Sequence, residues 1–432
     1  MTPAARLSAA IEVLADVETR RRPAADALKD WGLAHRFAGS GDRAAIAGLL
    51  YDGLRRKASA AFVMGEDTPR AVLFGMLLLE RKLDTAAIAR LADGSRFAPS
   101  PLTDAERARF DSANLEEAPP WVAGDYPEWL DPHLAQTFGD ERVEEGSGLA
   151  SRAPLDLRVN TLKGTREEAV DALADLSPVQ TRWSPHGLRI VLSADARSPA
   201  IHAEPAFIKG QIEIQDEGSQ LAALLADAKP GQQVIDLCAG AGGKTLALAA
   251  AMDNKGQLYA TDDDKRRLAP IHQRLERAEV RNVQVRTPRG TTDVLADLAG
   301  HADLVLIDAP CTGTGSWRRN PDAKWRVRPG ALEQRLKDQA GLLDRAAPLV
   351  KPGGRIAYVT CSVLAAENGD QVRAFLARHP EFSAMPVADA TAALGERAFL
   401  FRRAVLTMEE GFLMTPRRTD TDGFFVSVLG KA

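Results

Sequence analysis

Val234-Ile-Asp-Leu-Cys-Ala-Gly-Ala-Gly-Gly-Lys-Thr245 is a short apolar run, a glycine-rich turn and the opening of a helix. From about Leu221 onward the same rhythm repeats. Strand-like runs at Val234–Leu237, Gly256–Thr261, Val283–Val285, Leu304–Ile307 and Arg355–Val359 are mostly separated by helical stretches. That alternation predicts an α/β, doubly wound domain whose parallel sheet is covered on both faces. Pro352, Gly353 and Gly354 are expected to end the helix before the fifth strand. Gly423–Leu429 is expected to add a final strand, antiparallel at or near the sheet edge.

Glycines in such a turn let a ligand approach the backbone, and their spacing narrows the ligand. A phosphate-cradling P-loop would need glycine at Cys238, and a dinucleotide fingerprint starting at Gly240 would place its third glycine on Thr245. Neither pattern is met, which also disfavours a nicotinamide-dependent dehydrogenase. What remains is the turn Cys238, Ala239, Gly240, Ala241, Gly242, Gly243 and Lys244, followed about 20 residues later by Asp262, an acid at a strand end suited to a ribose diol. Ribose without pyrophosphate points to S-adenosylmethionine, although a turn of this kind also occurs as strand–helix packing alone. Asp263 and Asp264 read as helix N-terminal charges.

Two of the three cysteines end similar phrases, Leu304-Val-Leu-Ile-Asp-Ala-Pro-Cys311 and Arg355-Ile-Ala-Tyr-Val-Thr-Cys361-Ser. Each thiol should sit at the carboxyl end of a buried parallel strand, where open α/β sheets bind ligands. A lone cysteine is more often a small buried hydrophobe; two in equivalent positions point to chemistry. Carbon 5 of cytosine is too poor a nucleophile to take a methyl group directly. A thiolate adding to carbon 6 converts the ring to an enamine that can. The charge this puts on the ring needs a donor near ring nitrogen 3, and Asp308 lies at the same strand end as Cys311. Loss of the carbon-5 hydrogen and expulsion of the thiol call for a second assisting group. Spacing does not tell which thiol attacks.

The rest of the 432-residue chain bounds the setting. Residues 1–95 are Ala-rich with apolar residues at helical spacing, predicting a helical bundle in which Arg20–Arg22 and Arg55–Lys57 read as solvated helix ends. Residues 96–148 are proline-rich and read as a linker with short helices; 149–215 read as a small α+β subdomain, with strands at Leu155–Val159, Leu188–Leu192 and Phe207–Ile214 and a helix at Arg166–Leu173; 216–432 form the doubly wound domain. Seven histidines and no Cys-x-x-Cys pair argue against a disulfide framework or a zinc site. No run approaches the roughly 20 apolar residues of a membrane span, so a cytoplasmic protein without membrane or metal partners is expected. The net charge of −4 does not advertise nucleic-acid binding. A basic and aromatic segment, Trp317–Arg328, is read as contacting RNA, against the alternative of a solvated basic loop with its tryptophans packed inward.

On these residues the chain resembles the RsmB/Sun group of bacterial RNA cytosine-5 methyltransferases, over nearly its whole length. Asp308-Ala-Pro-Cys311 and Thr360-Cys-Ser362 match the family's two cysteine motifs. Cys238–Thr245 is similar to its cofactor loop, Leu157-Arg-Val-Asn-Thr-Leu162 to its RNA-side subdomain, Gln215-Asp-Glu-Gly-Ser-Gln220 to the start of its catalytic domain, and the N-terminal helices to a NusB-like RNA-binding domain. The resemblance implies a Rossmann-like methyltransferase fold acting on RNA, with 16S ribosomal RNA expected and transfer RNA the alternative. It implies Cys361 as nucleophile, Cys311 as the group assisting release, and Asp308 as a contact to cytosine and cofactor. Asp262 would hold the ribose, and the Lys244 loop the methionine end. Two departures stand out. Gly240 and Ala241 replace the family's usual Ala-Pro, loosening the turn, and Arg286-Thr-Pro-Arg-Gly290 stands where the family tends to place an adenine-side aspartate. They leave a rival expectation, a non-catalytic RNA-binding or ribosome-assembly factor that keeps the fold. A monomer is the default expectation.

Overall fold

The computed structural model describes residues 1–192, 199–290 and 292–432. They fall into two units.

The first unit comprises Met1–Arg152 together with Trp317–Arg328. Its helices start where side chains can satisfy the free amides of a first turn: Thr2 caps Pro3–Arg20, Thr68 caps Pro69–Leu79 and Asp84 caps Thr85–Leu91. Leu7, Leu14, Ile46, Leu50, Leu73 and Phe74 form the centre of its core. The helices Lys57–Met64 and Pro69–Leu79 cross backbone to backbone, since a Cβ on Gly75 would meet the Ala60 carbonyl oxygen at 2.5 Å. Residues 96–148, expected as a linker, cluster with this unit instead. Phe110, on the helix Asp104–Asp111, enters its core against Phe74. Asp125 accepts both the Ser59 amide (2.9 Å) and hydroxyl (2.7 Å).

The second unit comprises Ala153–Leu192, 199–316 and Pro329–Ala432. It holds a four-stranded antiparallel sheet, in the order β2-β3-β1-β4, of β1 (Leu155–Val159), β2 (Val179–Gln180), β3 (Gly187–Ile190) and β4 (Ile212–Ile214). Only the end of the expected Phe207–Ile214 strand is extended, because Pro205 starts a helical turn through Ile208 and Gly210, at φ +70°, redirects the chain.

A nine-stranded sheet follows. Its parallel part is β7 (Val283–Val285), β6 (Gln257–Ala260), β5 (Gln233–Asp236), β8 (Ala302–Asp308) and β9 (Val350–Thr360), in that spatial order. β10 (Phe382–Ala384), β11 (Leu406–Met408), β12 (Gly411–Met414) and β13 (Phe424–Lys431) are antiparallel additions. β13 is not an edge strand, since it lies between β9 on one side and β12 and β10 on the other. Its inner position matches its composition, a run of apolar residues buried on both faces. Pro352–Gly354 does not end a helix. The helix closes at Ala346, and the breaker residues form an irregularity inside β9, where the register against β8 shifts between Ala302 and Leu304. Among the described residues no helix is long and apolar enough to cross a membrane, and no cluster of His, Cys, Asp or Glu is placed to hold a metal.

Candidate active site

β5 sits between β6 and β8, so the chain order of the sheet reverses at its carboxyl end, the place where doubly wound sheets bind ligands. The turn Leu237–Gly242 leaves from there into the helix Gly243–Ala251. Gly242, at φ +88°, is obligatory, since a Cβ would come within 2.6 Å of Ile271. Gly240, at φ +50°, is different: a Cβ there would meet nothing nearer than Arg267 at 3.7 Å, so its backbone is open to a ligand. Asp262 is 3% exposed and accepts the Gly240 amide at 3.0 Å and the Asp264 amide at 2.9 Å. It thereby positions the loop, and it also lines a cleft of about 820 Å³ bounded by Asp263, Pro310, Arg335, Leu342 and Arg345. Asp264 caps the helical turn Lys265–Leu268. An open glycine backbone with a carboxylate beside a cleft fits the ribose and methionine ends of S-adenosylmethionine. Ala239, Ala241 and Gly243 complete the turn, and the Cys238 thiol, pushed up by burial, stays protonated.

Lys244 does not point alone into the loop. Its ammonium donates to Asp308 Oδ2 at 2.7 Å and lies 5.1 Å from the Phe424 ring centroid. Asp308 ends β8, and β9 runs parallel beside it with Asp308 opposite Val359. That register brings Cys311 and Cys361 together, Sγ to Sγ at 3.3 Å, both half-buried and unbridged. The hydrogen bond with Cys361, then burial, pushes the Cys311 thiol up, so it remains a thiol at neutral pH.

Two further acids support the site. Glu367, fully buried, accepts the Thr312 amide (2.8 Å), the Thr312 hydroxyl (2.5 Å) and the Gln339 side-chain amide (3.0 Å), while its own carbonyl accepts the Tyr358 hydroxyl (2.7 Å). Along with Thr314 and Ser362, whose hydroxyls meet at 3.1 Å, it ties the loop after Cys311 to the loop after Cys361. Nothing in Ala365-Ala-Glu367 marks this locally, because both partners are remote in sequence. Asp236, the last residue of β5, accepts the Thr245 hydroxyl at 2.7 Å, and its other oxygen has no partner; burial pushes its carboxyl up to about 7. A lone acid ending an apolar strand was the signal available.

The segment Trp317–Arg328, read as contacting RNA, packs Trp317, Arg318 and Lys324 inward and leaves Arg326 and Arg328 exposed. Trp317, Arg318 and Lys324 are each 1% exposed. Lys324 donates to the Arg55 carbonyl (3.0 Å), Trp325 Nε1 to the Leu54 carbonyl (2.7 Å), and Arg55 to the Arg318 carbonyl (3.0 Å). The tryptophan rings flank Lys324, whose ammonium burial pushes down to about 7. Lys324 thus serves as an internal donor to a helix-end carbonyl, while Arg326 and Arg328 at the end of the segment stay exposed. Arg286 turns toward the Tyr259 ring and pairs with Asp297.

A doubly wound sheet with a glycine-opened turn, a ribose-suited acid at the next strand end and an acid beside two thiols defines an S-adenosylmethionine-dependent methyltransferase. A family described as 16S rRNA methyltransferase RsmB/F matches residues 223–430, and the ferredoxin-like domain of RsmF/B-like methyltransferases matches residues 126–196. The chain is 32% identical to a probable ribosomal RNA small subunit methyltransferase B of Synechocystis sp., over 71% of this chain and 67% of that one. It spans about two thirds of the length of the curated relatives it matches. The crystal structure of PH0851 superposes with a TM-score of 0.73 at 27% identity, covering 100% of this chain and 99% of that one. A methyltransferase homolog from Pyrococcus horikoshii gives 0.57 at 26% identity, covering 72% and 98%. The chain belongs to the RsmB/F family of methyltransferases.

Proposed function

We propose that this protein methylates carbon 5 of a cytosine in small-subunit ribosomal RNA through a covalent adduct with Cys361. The observation that carries the reading is the pair of half-buried thiols 3.3 Å apart, one strand end from Asp308. In this reading the Cys361 thiolate forms a bond to carbon 6 of the ring, and Asp308, held by Lys244, contacts the cytosine as charge develops on it. The bound cofactor supplies a methyl group on a sulfonium sulfur to the carbon-5 enamine. The carbon-5 proton then passes to solvent water, its bonding pair re-forms the carbon 5–carbon 6 double bond as the carbon 6–sulfur bond breaks, and Cys361 departs as thiolate. Cys311, kept protonated by its neighbour and by burial, assists that release. A cytosine must be unstacked to expose carbon 6, so the substrate is an unpaired or flipped nucleotide. The ribosomal substrate rests on the family match and on the name of the Synechocystis relative, a probable ribosomal RNA small subunit methyltransferase B.

The test is bisulfite sequencing of small-subunit RNA treated with the purified protein and S-adenosylmethionine. A single protected cytosine is the expected result; unmodified RNA, or methylation at a ring position other than carbon 5, overturns the proposal.

A further inference from the structure

We infer that Arg274 is a positioning residue for the cofactor loop, a clamp that holds the turn at Gly240-Ala241. The inference rests on reading Cys238–Lys244 as the cofactor loop.

Three observations carry it. Gly240 is in the left-handed region, where a Cβ would meet nothing nearer than 3.7 Å, and neither it nor Ala241 restricts the backbone as proline would. One arm of the Arg274 guanidinium donates to the Ala241 carbonyl at 2.9 Å, and both its terminal nitrogens stand about 4 Å from where a Gly243 Cβ would lie, so the side chain passes over the junction of turn and helix. The other arm donates to Glu213 Oε2 at 2.9 Å, and Glu213, on β4, is 2% exposed. Glu213 is anchored a second time by Arg277, one helical turn along from Arg274 on Ile271–Arg277. A guanidinium fork engaged at both ends has little freedom left, so the Ala241 carbonyl is held against a nearly fixed point. With the Gly240 amide bonded to Asp262, the turn is gripped on both sides of its most flexible residue. β4 belongs to the small antiparallel sheet, so the sheet and the cofactor loop share one buried carboxylate.

The adjacent pairing supplies the control. Arg277 also pairs with Glu213, and its guanidinium stacks on Phe207 at 4.0 Å, with no bond to the loop. Loss of Arg277 therefore weakens the same carboxylate anchor without releasing Ala241.

The experiment is calorimetric titration of the full-length protein with S-adenosylmethionine. Arg274→Ala is expected to weaken binding about tenfold, the worth of a hydrogen bond from a charged donor. Arg274→Lys keeps the charge toward Glu213 but cannot serve both acceptors as a fork does, and is expected to fold normally and bind several-fold more weakly than wild type. Arg277→Ala is expected to lower the melting temperature while leaving affinity within about twofold. Wild-type affinity in both Arg274 variants overturns the clamp, as does an equal loss in Arg277→Ala, which would mean that the sheet as a whole, not Arg274, sets the loop. Absence of binding by the wild-type protein would instead overturn the reading of the loop itself, and the clamp with it.

Discussion

Cys311 and Cys361, fifty residues apart in the chain, face each other at 3.3 Å because β8 and β9 are adjacent parallel strands that end in register. Two thiols at that separation cannot both become thiolates without mutual repulsion. The hydrogen bond with Cys361 and burial push the Cys311 thiol up, in keeping with the proposed division in which Cys361 attacks and Cys311 assists release.

This division of labour has separable consequences. Cys361→Ser should abolish methyl transfer and adduct formation together. Cys311→Ala should still attack but fail to release, so a protein–RNA adduct that survives denaturing electrophoresis should accumulate. If Cys311→Ala turns over like wild type and leaves no adduct, Cys311 has no part in release.

Glu367→Ala should damage both stability and rate. It leaves the Thr312 amide and hydroxyl without their acceptor and takes one of two acceptors from the Gln339 amide, at a cost of about 2–4 kcal/mol in chemical denaturation. A slackened loop after Cys311 misplaces the releasing thiol, and kcat should fall by about 100-fold, with the cofactor KM little changed. A normal kcat in a folded variant would show that the loop holds itself.

The Asp236 carboxyl makes a pH prediction. Its folded value, pushed up to about 7, lies above the unfolded value of about 4, so between those limits the folded protein holds a proton that the unfolded chain has released. Stability from this group therefore falls as pH rises through that window. Asp236→Asn removes the slope, and its stability relative to wild type should be higher at pH 8 than at pH 5. Equal differences at the two pH values would show that Asp236 does not titrate there.

Trp325→Ala should destabilise the helical unit, although residue 325 is remote in sequence from it. Losing the half-buried ring and its bond to the Leu54 carbonyl should cost about 2–3 kcal/mol. An unchanged denaturation midpoint would place the tryptophan outside that core.

The sequence by itself determined the elements and their chemistry, because those depend on neighbours along the chain. Apolar runs punctuated by Gly242, Gly353 and Gly354, the strand-helix alternation, the turn at Cys238–Lys244 and the paired cysteine phrases are all local signals. Even there, a breaker such as Pro352-Gly-Gly could be placed beside β9 without showing that it would be absorbed into it. The tertiary structure alone decided which strands are neighbours, and thus that two distant thiols meet. It also decided which charges are buried: Glu367 meets partners remote in sequence, Asp236 is sealed at the end of β5, and Arg318 and Lys324, written like a surface, lie inside. A basic side chain reads the same in sequence whether water or a helix-end carbonyl receives its protons, and only packing distinguishes the two.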